Sequence, residues 1–352
     1  RLEETVQPNT IFSTNTSSIP IHLIAKNCSM DFKNRFLGTH FFNPPRHLKL
    51  LEIIPTQDTD PAIVERISLF ARLHLGKGIV VAKDVPAFIG NRVGIFAILH
   101  AIRALGDYTI EEIDTLTGSL SGRPVSATFR TVDLIGIDTL STIAKYLYNA
   151  VPKDDNREIF LLPNILDALL EMNYTGAKTG RGFYRKEGNS ILSINPKTFK
   201  YLPPEAPNLN LGRILKYRTL SDRLCALYTN TGRAGAFFHT HILAHLSYCA
   251  HRIPEITTNP AEIDRALCWG FGWEVGPFKI WDILGFKTIL RDMETKSISV
   301  PDWIERMAQD GNATFYIDEG VNRKVYLPIE GYTPDAIPSD EIQLTAIHSK
   351  KE

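Results

Sequence analysis

Gly38-Thr-His-Phe-Phe-Asn-Pro-Pro45, followed by Leu50-Leu-Glu-Ile-Ile54, is the stretch on which the reading of this chain turns. Gly38 to Asn43 reads as a short strand rich in Phe. Lys49 to Ile54 reads as a second strand, apolar except for Lys49 and Glu52. Pro44-Pro45-Arg46-His47 between them is turn chemistry, because proline fixes φ and has no amide to give a ladder. Antiparallel pairing about a centre near Arg46 sets His40 opposite Glu52, within cross-strand reach. Both side chains are costly to bury unless they pair or neutralise. A carboxylate beside an imidazole fixes its tautomer. On the residues alone two readings stand open: a general base held by a carboxylate, and a structural salt bridge.

The surroundings extend the first reading. Ile11-Phe-Ser-Thr-Asn-Thr-Ser-Ser18 reads as a buried strand ending in a loop of small polar residues. Sites of open α/β sheets lie at such carboxyl ends. Gly78-Ile-Val-Val-Ala82 is another buried strand. It runs into Lys83-Asp-Val-Pro-Ala-Phe-Ile-Gly-Asn-Arg92, which reads as the opening of a helix with Pro near its start. Ser17 and Asn91 are then uncharged donors expected near His40. A base, an orienting carboxylate and two neutral donors suit proton removal from an alcohol.

These runs, with Gly176-Ala-Lys-Thr-Gly-Arg-Gly-Phe-Tyr184, make the chain resemble the 3-hydroxyacyl-CoA dehydrogenase family. Gly122-Arg-Pro-Val-Ser to Gly136-Ile-Asp138 looks most like the bacterial fatty-acid oxidation branch, in which an enoyl-CoA hydratase domain follows. The resemblance implies an α/β fold: the C-terminal part of a Rossmann-like NAD-binding sheet, then two tandem all-α dehydrogenase C-terminal domains. It implies NAD as cofactor, an acyl-CoA thioester as substrate, and oxidation of (S)-3-hydroxyacyl-CoA to 3-ketoacyl-CoA in β-oxidation. His40 matches the family's catalytic base and Glu52 its partner carboxylate. Ser17 and Asn91 match groups that hold the substrate oxygen. Ser17, Asn43 and Lys178 match residues near the cofactor. One departure is Ala87, where the family usually has Gly; a position at a helix start would tolerate the methyl group.

A second departure is that no Gly-x-Gly-x-x-Gly follows a strand. Gly270-Phe-Gly272 and Gly76-Lys-Gly78 have neither the spacing nor the context. The chain opens on Arg1 and reads as beginning within the second half of a dinucleotide-binding domain. The alternative expectation is therefore a catalytically silent piece that does not bind NAD.

Composition fits a soluble enzyme of two to three domains: 352 residues, 43% apolar and formally uncharged. Nothing in it points to nucleic acid, and no run is long enough to span a bilayer. Cys28, Cys225, Cys249 and Cys268 show no Cys-x-x-Cys spacing and suit a reducing cytoplasm. The expected segments are a partial NAD-binding domain at 1–84, a helical domain at 85–190, a linker at 191–210, a second helical domain at 211–299 and an extension at 300–352. Glu112-Ile-Asp114 preceding Asp133-Leu-Ile-Gly136 recurs at nearly constant offset as Glu262-Ile-Asp264 preceding Asp282-Ile-Leu-Gly285, which reads as an internal repeat. In the family such tandem copies mimic a dimer, so both monomer and homodimer are compatible. The second copy has no counterpart of Asn91.

Other candidates carry less. His241 and His245 would share a helix face, with His239 and His251 nearby. No acidic residue matches them, so no metal site is assigned and a partly solvated helix is expected. Trp269-Gly-Phe-Gly-Trp273 reads as core packing in a tight loop. Arg46, His47 and Lys49 read as a solvated turn.

Overall fold

The structure, a computed structural model, describes residues 5–335 except 8, 320 and 321. Residues 1–4 and the polar end of the expected extension, 336–352, lie outside the described residues. The chain forms two compact units. One comprises the chain up to Gly90, Leu246–Gly270 and Val275 onward; the other comprises Asn91–His245 and Phe271–Glu274.

The first unit is built on a four-stranded sheet. Its strands are β1 (Phe12–Thr14), β2 (Phe36–Phe41), β3 (Leu50–Pro55) and β4 (Gly78–Val81), in that spatial order. β1–β2 and β3–β4 are parallel, while β2–β3 is antiparallel. Leu37, Leu51 and Ile53 face the helix Pro61–Leu75, whose Ile63, Val64, Ile67 and Ala71 point inward. That helix starts where the chain says it should. Asp60 accepts the Ala62 amide at 2.8 Å, Pro61 opens the first turn, and Gly76 closes it in the left-handed region at φ 64°. Lys77, buried just beyond, donates to the Pro45 and Leu48 carbonyls and ties down the β2–β3 turn. Gly38 lets another turn close onto β2: a Cβ there would lie 2.7 Å from Ile21.

The internal repeat is written in hydrogen bonds. In the second unit, Asp114 accepts the amides of Thr128 and Phe129 at 3.0 and 2.8 Å and the Tyr184 hydroxyl at 2.8 Å. Asp133 accepts the amides of Phe183 and Tyr184, both at 2.8 Å. In the first unit, Asp264 accepts Phe278 and Lys279 amides at 2.8 and 2.9 Å and the Tyr316 hydroxyl at 2.8 Å. Asp282 accepts Phe315 and Tyr316 amides at 2.7 and 3.0 Å. Gly136 and Gly285 join consecutive helices at φ 100° and 94°, where a side chain would be strained.

Each helical region is followed by a small sheet that the sequence does not announce. The first copy ends in a small antiparallel sheet of β5 (Tyr184–Glu187), β6 (Ser190–Ile194) and β7 (Tyr201–Leu202), reaching into the stretch read as a linker. Within the expected extension, β8 (Tyr316–Glu319), β9 (Asn322–Leu327) and β10 (Gly331–Pro334) form its counterpart. These strands are short and carry charged residues, so they lack a sustained apolar alternation. Carboxylates far upstream, Asp133 and Asp282, take the amides that open each sheet.

Candidate active site

The β2–β3 register pairs His40 with Glu52, as the turn centre predicts. His40 Nδ1 lies 2.7 Å from Glu52 Oε2, and the two side chains are 4% and 0% exposed. The other carboxylate oxygen, Oε1, accepts the amides of Ile89 and Gly90 at 3.1 and 2.7 Å. Three donors therefore meet one buried carboxylate, which is what keeps a buried charge tolerable. Phe42 and Phe88 flank the imidazole, with ring centroids 4.5 and 5.8 Å away. Gly90 makes room for the Phe42 ring: a Cβ there would lie 2.7 Å from it.

The segment that supplies those amides corrects one expectation. Ala87 is not at a helix start. Ala87 and Phe88 sit in the left-handed region at φ 61° and 50°, and the helix Gly90–Ile102 begins after them. Ala87 is fully buried, and its left-handed backbone costs about 1 kcal/mol of strain. The turn has to double back sharply to aim two consecutive amides at Glu52.

Ser17 lies half-buried in the loop after β1. The loop is fastened at several points. Asn15 Oδ1 accepts the amide of Phe41, the neighbour of His40, at 2.9 Å. Ser18 O accepts the Ala87 amide at 2.9 Å. Asp84 accepts the amides of Ile21 and His22, the latter at 2.9 Å, and meets His22 Nδ1 at 2.7 Å. Sequence reading singled out neither Asn15 nor Asp84. Each sat inside a quoted motif, but neither type of residue announces which distant amide it will take. Asn43 is exposed in the turn after β2.

Asn91 and Lys178 belong to the second unit. Asn91 is buried at the second position of the Gly90–Ile102 helix. Its neighbour Arg92 donates to Asp154 at 2.7 Å, both side chains being fully buried. Lys178 is half exposed and donates to Asp138, whose carboxyl it holds below the usual range.

Of the histidines of the Arg233–His251 helix, His241 and His245 are core, while His239 and His251 are part-exposed. His241 Nδ1 lies 3.2 Å from His100 Nδ1, and His241 Nε2 accepts from Arg123 at 2.9 Å. The Arg123 guanidinium lies 4.0 Å over the Trp273 ring. Burial pushes His100 down to about 4, His245 to about 3 and Arg123 to about 9. Among the described residues no group of three or more His, Cys, Asp or Glu is placed to hold a metal ion. Among them, too, no helix is long and apolar enough to cross a membrane.

The family model "3-hydroxyacyl-CoA dehydrogenase, NAD binding domain" matches residues 1–85, and "3-hydroxyacyl-CoA dehydrogenase, C-terminal domain" matches 88–186. A probable 3-hydroxyacyl-CoA dehydrogenase of Bacillus subtilis is 41% identical over 323 residues, covering 90% of this chain and 41% of that protein. A putative fatty acid oxidation complex trifunctional enzyme of Rickettsia prowazekii is 30% identical over 309 residues, covering 85% and 42%. The chain thus spans about two fifths of the length of these curated relatives. The crystal structure of 3-hydroxybutyryl-CoA dehydrogenase from Escherichia coli K12 superposes with a TM-score of 0.64 at 21% identity, covering 88% of this chain and 77% of that one; it shares the fold. Both curated relatives carry enzyme names, and they lend the silent-fragment alternative no support.

Proposed function

Because the chain belongs to the 3-hydroxyacyl-CoA dehydrogenase family, we propose that it carries the acid–base centre of an NAD-dependent oxidation of (S)-3-hydroxyacyl-CoA to 3-ketoacyl-CoA. One observation carries the reading: the buried His40–Glu52 pair, with Glu52 locked from its other oxygen by the Ile89 and Gly90 amides.

In this reading the carboxylate engages Nδ1, so Nε2 is the nitrogen that exchanges a proton with substrate. His40 takes the 3-hydroxyl proton and returns it in the reverse reaction. Glu52 holds the tautomer and balances the imidazolium as it forms. Ser17 and Asn91 hold the substrate oxygen with uncharged donors, which fit both the alcohol and the ketone. Phe42 and Phe88 keep water from the imidazole. The donor set suits NAD: it provides for a proton and for an oxygen, and leaves an electron-pair acceptor to be supplied. NAD, when bound, accepts the hydride leaving C3. Ser17, Asn43 and Lys178 are the side chains assigned to hold it, and Lys178 would exchange Asp138 for the cofactor. β-Oxidation in the cytoplasm, a monomer or homodimer, and an enoyl-CoA hydratase domain in the whole protein belong to the same reading. The trifunctional relatives support its last part.

The test is oxidation of (S)-3-hydroxybutyryl-CoA by the full-length protein, followed by NADH absorbance. His40→Gln is expected to lower kcat by at least about 10²-fold. Turnover near that of the unaltered protein would refute the base assignment.

A further inference from the structure

We infer that Asp84 is a positioning residue that holds the Ser17 loop in register with the His40–Glu52 pair; the inference rests on the dehydrogenase reading for its catalytic consequence.

The physical case lies in one short segment, Asp84 to Gly90. At its start, the Asp84 carboxylate takes the amides of Ile21 and His22, just beyond the Ser17 loop. In its middle, Ala87 N donates to Ser18 O at 2.9 Å. At its end, the amides of Ile89 and Gly90 hold Glu52 Oε1. The loop and the carboxylate behind the base are thus fastened to the same seven residues. The left-handed turn at Ala87 and Phe88 makes the segment stiff rather than slack, since both residues are fully buried in an uncommon conformation.

Asp84 is the side chain in this arrangement whose loss would release the loop while leaving Glu52 its amides. Its oxygens accept from two backbone amides and from the His22 imidazole, and it is itself 11% exposed. An Asn there presents an NH2 to one of those donors, so one fastening is lost and one donor is faced by another. Ser17 then drifts from the position it needs, and drift of that kind is expensive in catalysis even when binding survives.

The experiment is a double-mutant cycle on the full-length protein together with amide exchange. Asp84→Asn is expected to lower kcat/KM by roughly 10–100-fold in the otherwise unaltered protein. In a Ser17→Ala background the same change is expected to cost less than about twofold, because the group it positions is already gone. In Asp84→Asn, amides 15–19 are expected to exchange about tenfold faster, with those of β2 and β3 unchanged. Equal cost in both backgrounds, or unchanged exchange at 15–19, overturns the proposal. If the unaltered protein does not oxidise the substrate, the dehydrogenase reading fails and the exchange data alone decide whether Asp84 holds the loop. Should Asp84→Asn not fold, Asp84→Glu, which shifts the acceptors by one methylene, is read against the same outcomes.

Discussion

His40 Nδ1 and Glu52 Oε2 lie 2.7 Å apart across two antiparallel strands, in a region from which water is almost wholly excluded. Neither side chain could be buried there alone at reasonable cost. Glu52 answers two needs at once, the imidazole with one oxygen and the end of a left-handed turn with the other.

Glu52→Gln should therefore harm both chemistry and fold. The amide NH2 of Gln either opposes the Ile89 and Gly90 amides, or donates to His40 Nδ1 and so moves the imidazole proton to Nε2, where the base is needed. We expect kcat to fall by about 10²-fold or more and stability to drop by about 1–3 kcal/mol. Steady-state kinetics and urea unfolding measure the two effects. A variant with full stability and full turnover would mean that the pair contributes to neither.

Ala87 offers a test of the turn. Ala87→Gly relieves the positive φ but removes a buried methyl and adds chain entropy. These terms nearly cancel, so stability should change by less than about 1 kcal/mol. Ala87→Val places a β-branched residue at φ 61° in a fully buried position, and should cost about 2 kcal/mol or more. Urea midpoints would show the order; a Val variant as stable as the Ala protein would mean the turn is not constrained as described.

Arg92 and Asp154 form a fully buried ion pair next to Asn91. Removing one partner strands the other charge. Asp154→Leu alone should cost about 3–5 kcal/mol, and the double replacement with Arg92→Met should recover much of it. Equilibrium unfolding of the three variants gives the coupling, and simple additivity would contradict this account.

Acid should weaken the unit containing His100, His241 and His245. Their ordinary value is 6.5, and burial with Arg103 and Arg123 nearby depresses His100 to about 4. The unfolded chain then binds the extra protons first. The contribution of the neutral histidines is present above pH 6.5 and is lost as pH falls toward 4. Asp114 and Asp133, raised by burial to about 6, act in the opposite sense: their contribution is present below their ordinary 3.8 and is lost as pH rises through about 6. Comparing the unaltered protein with His100→Asn isolates the histidine. The difference in stability slope between pH 6.5 and 4 should approach ~1.4 kcal/mol per pH unit. Parallel curves would mean that His100 titrates normally.

Much of this molecule is legible from short stretches. Proline in the turn and apolar strands on either side determine the β2–β3 hairpin, and with it the register that sets His40 against Glu52. Asp60, Pro61 and Gly76 mark both ends of a helix whose apolar positions recur at helical spacing. The recurring Asp and Gly landmarks reveal the repeat before any coordinates do. What was misread shares a different character. The sheets after Tyr184 and Tyr316 depend on carboxylates of distant helices, and their own strands carry too many charges to look like strands. Ala87 looked like a helix start because its neighbours Pro86 and Gly90 punctuate a helix, whereas its backbone is set by the need to reach Glu52.

The sequence by itself determined the family resemblance, the strand pairing and the placing of His40 opposite Glu52, because each depends on residues close along the chain. Only the tertiary structure decided what occupies the second Glu52 oxygen, what Asp84 and Asn15 fasten, where Arg92 finds Asp154, and that His241 and His245 are core. Those contacts join residues far apart in sequence. A hydrogen-bonding side chain accepts any donor that the fold brings within about 3 Å, so its partner is a property of the fold and not of the residue.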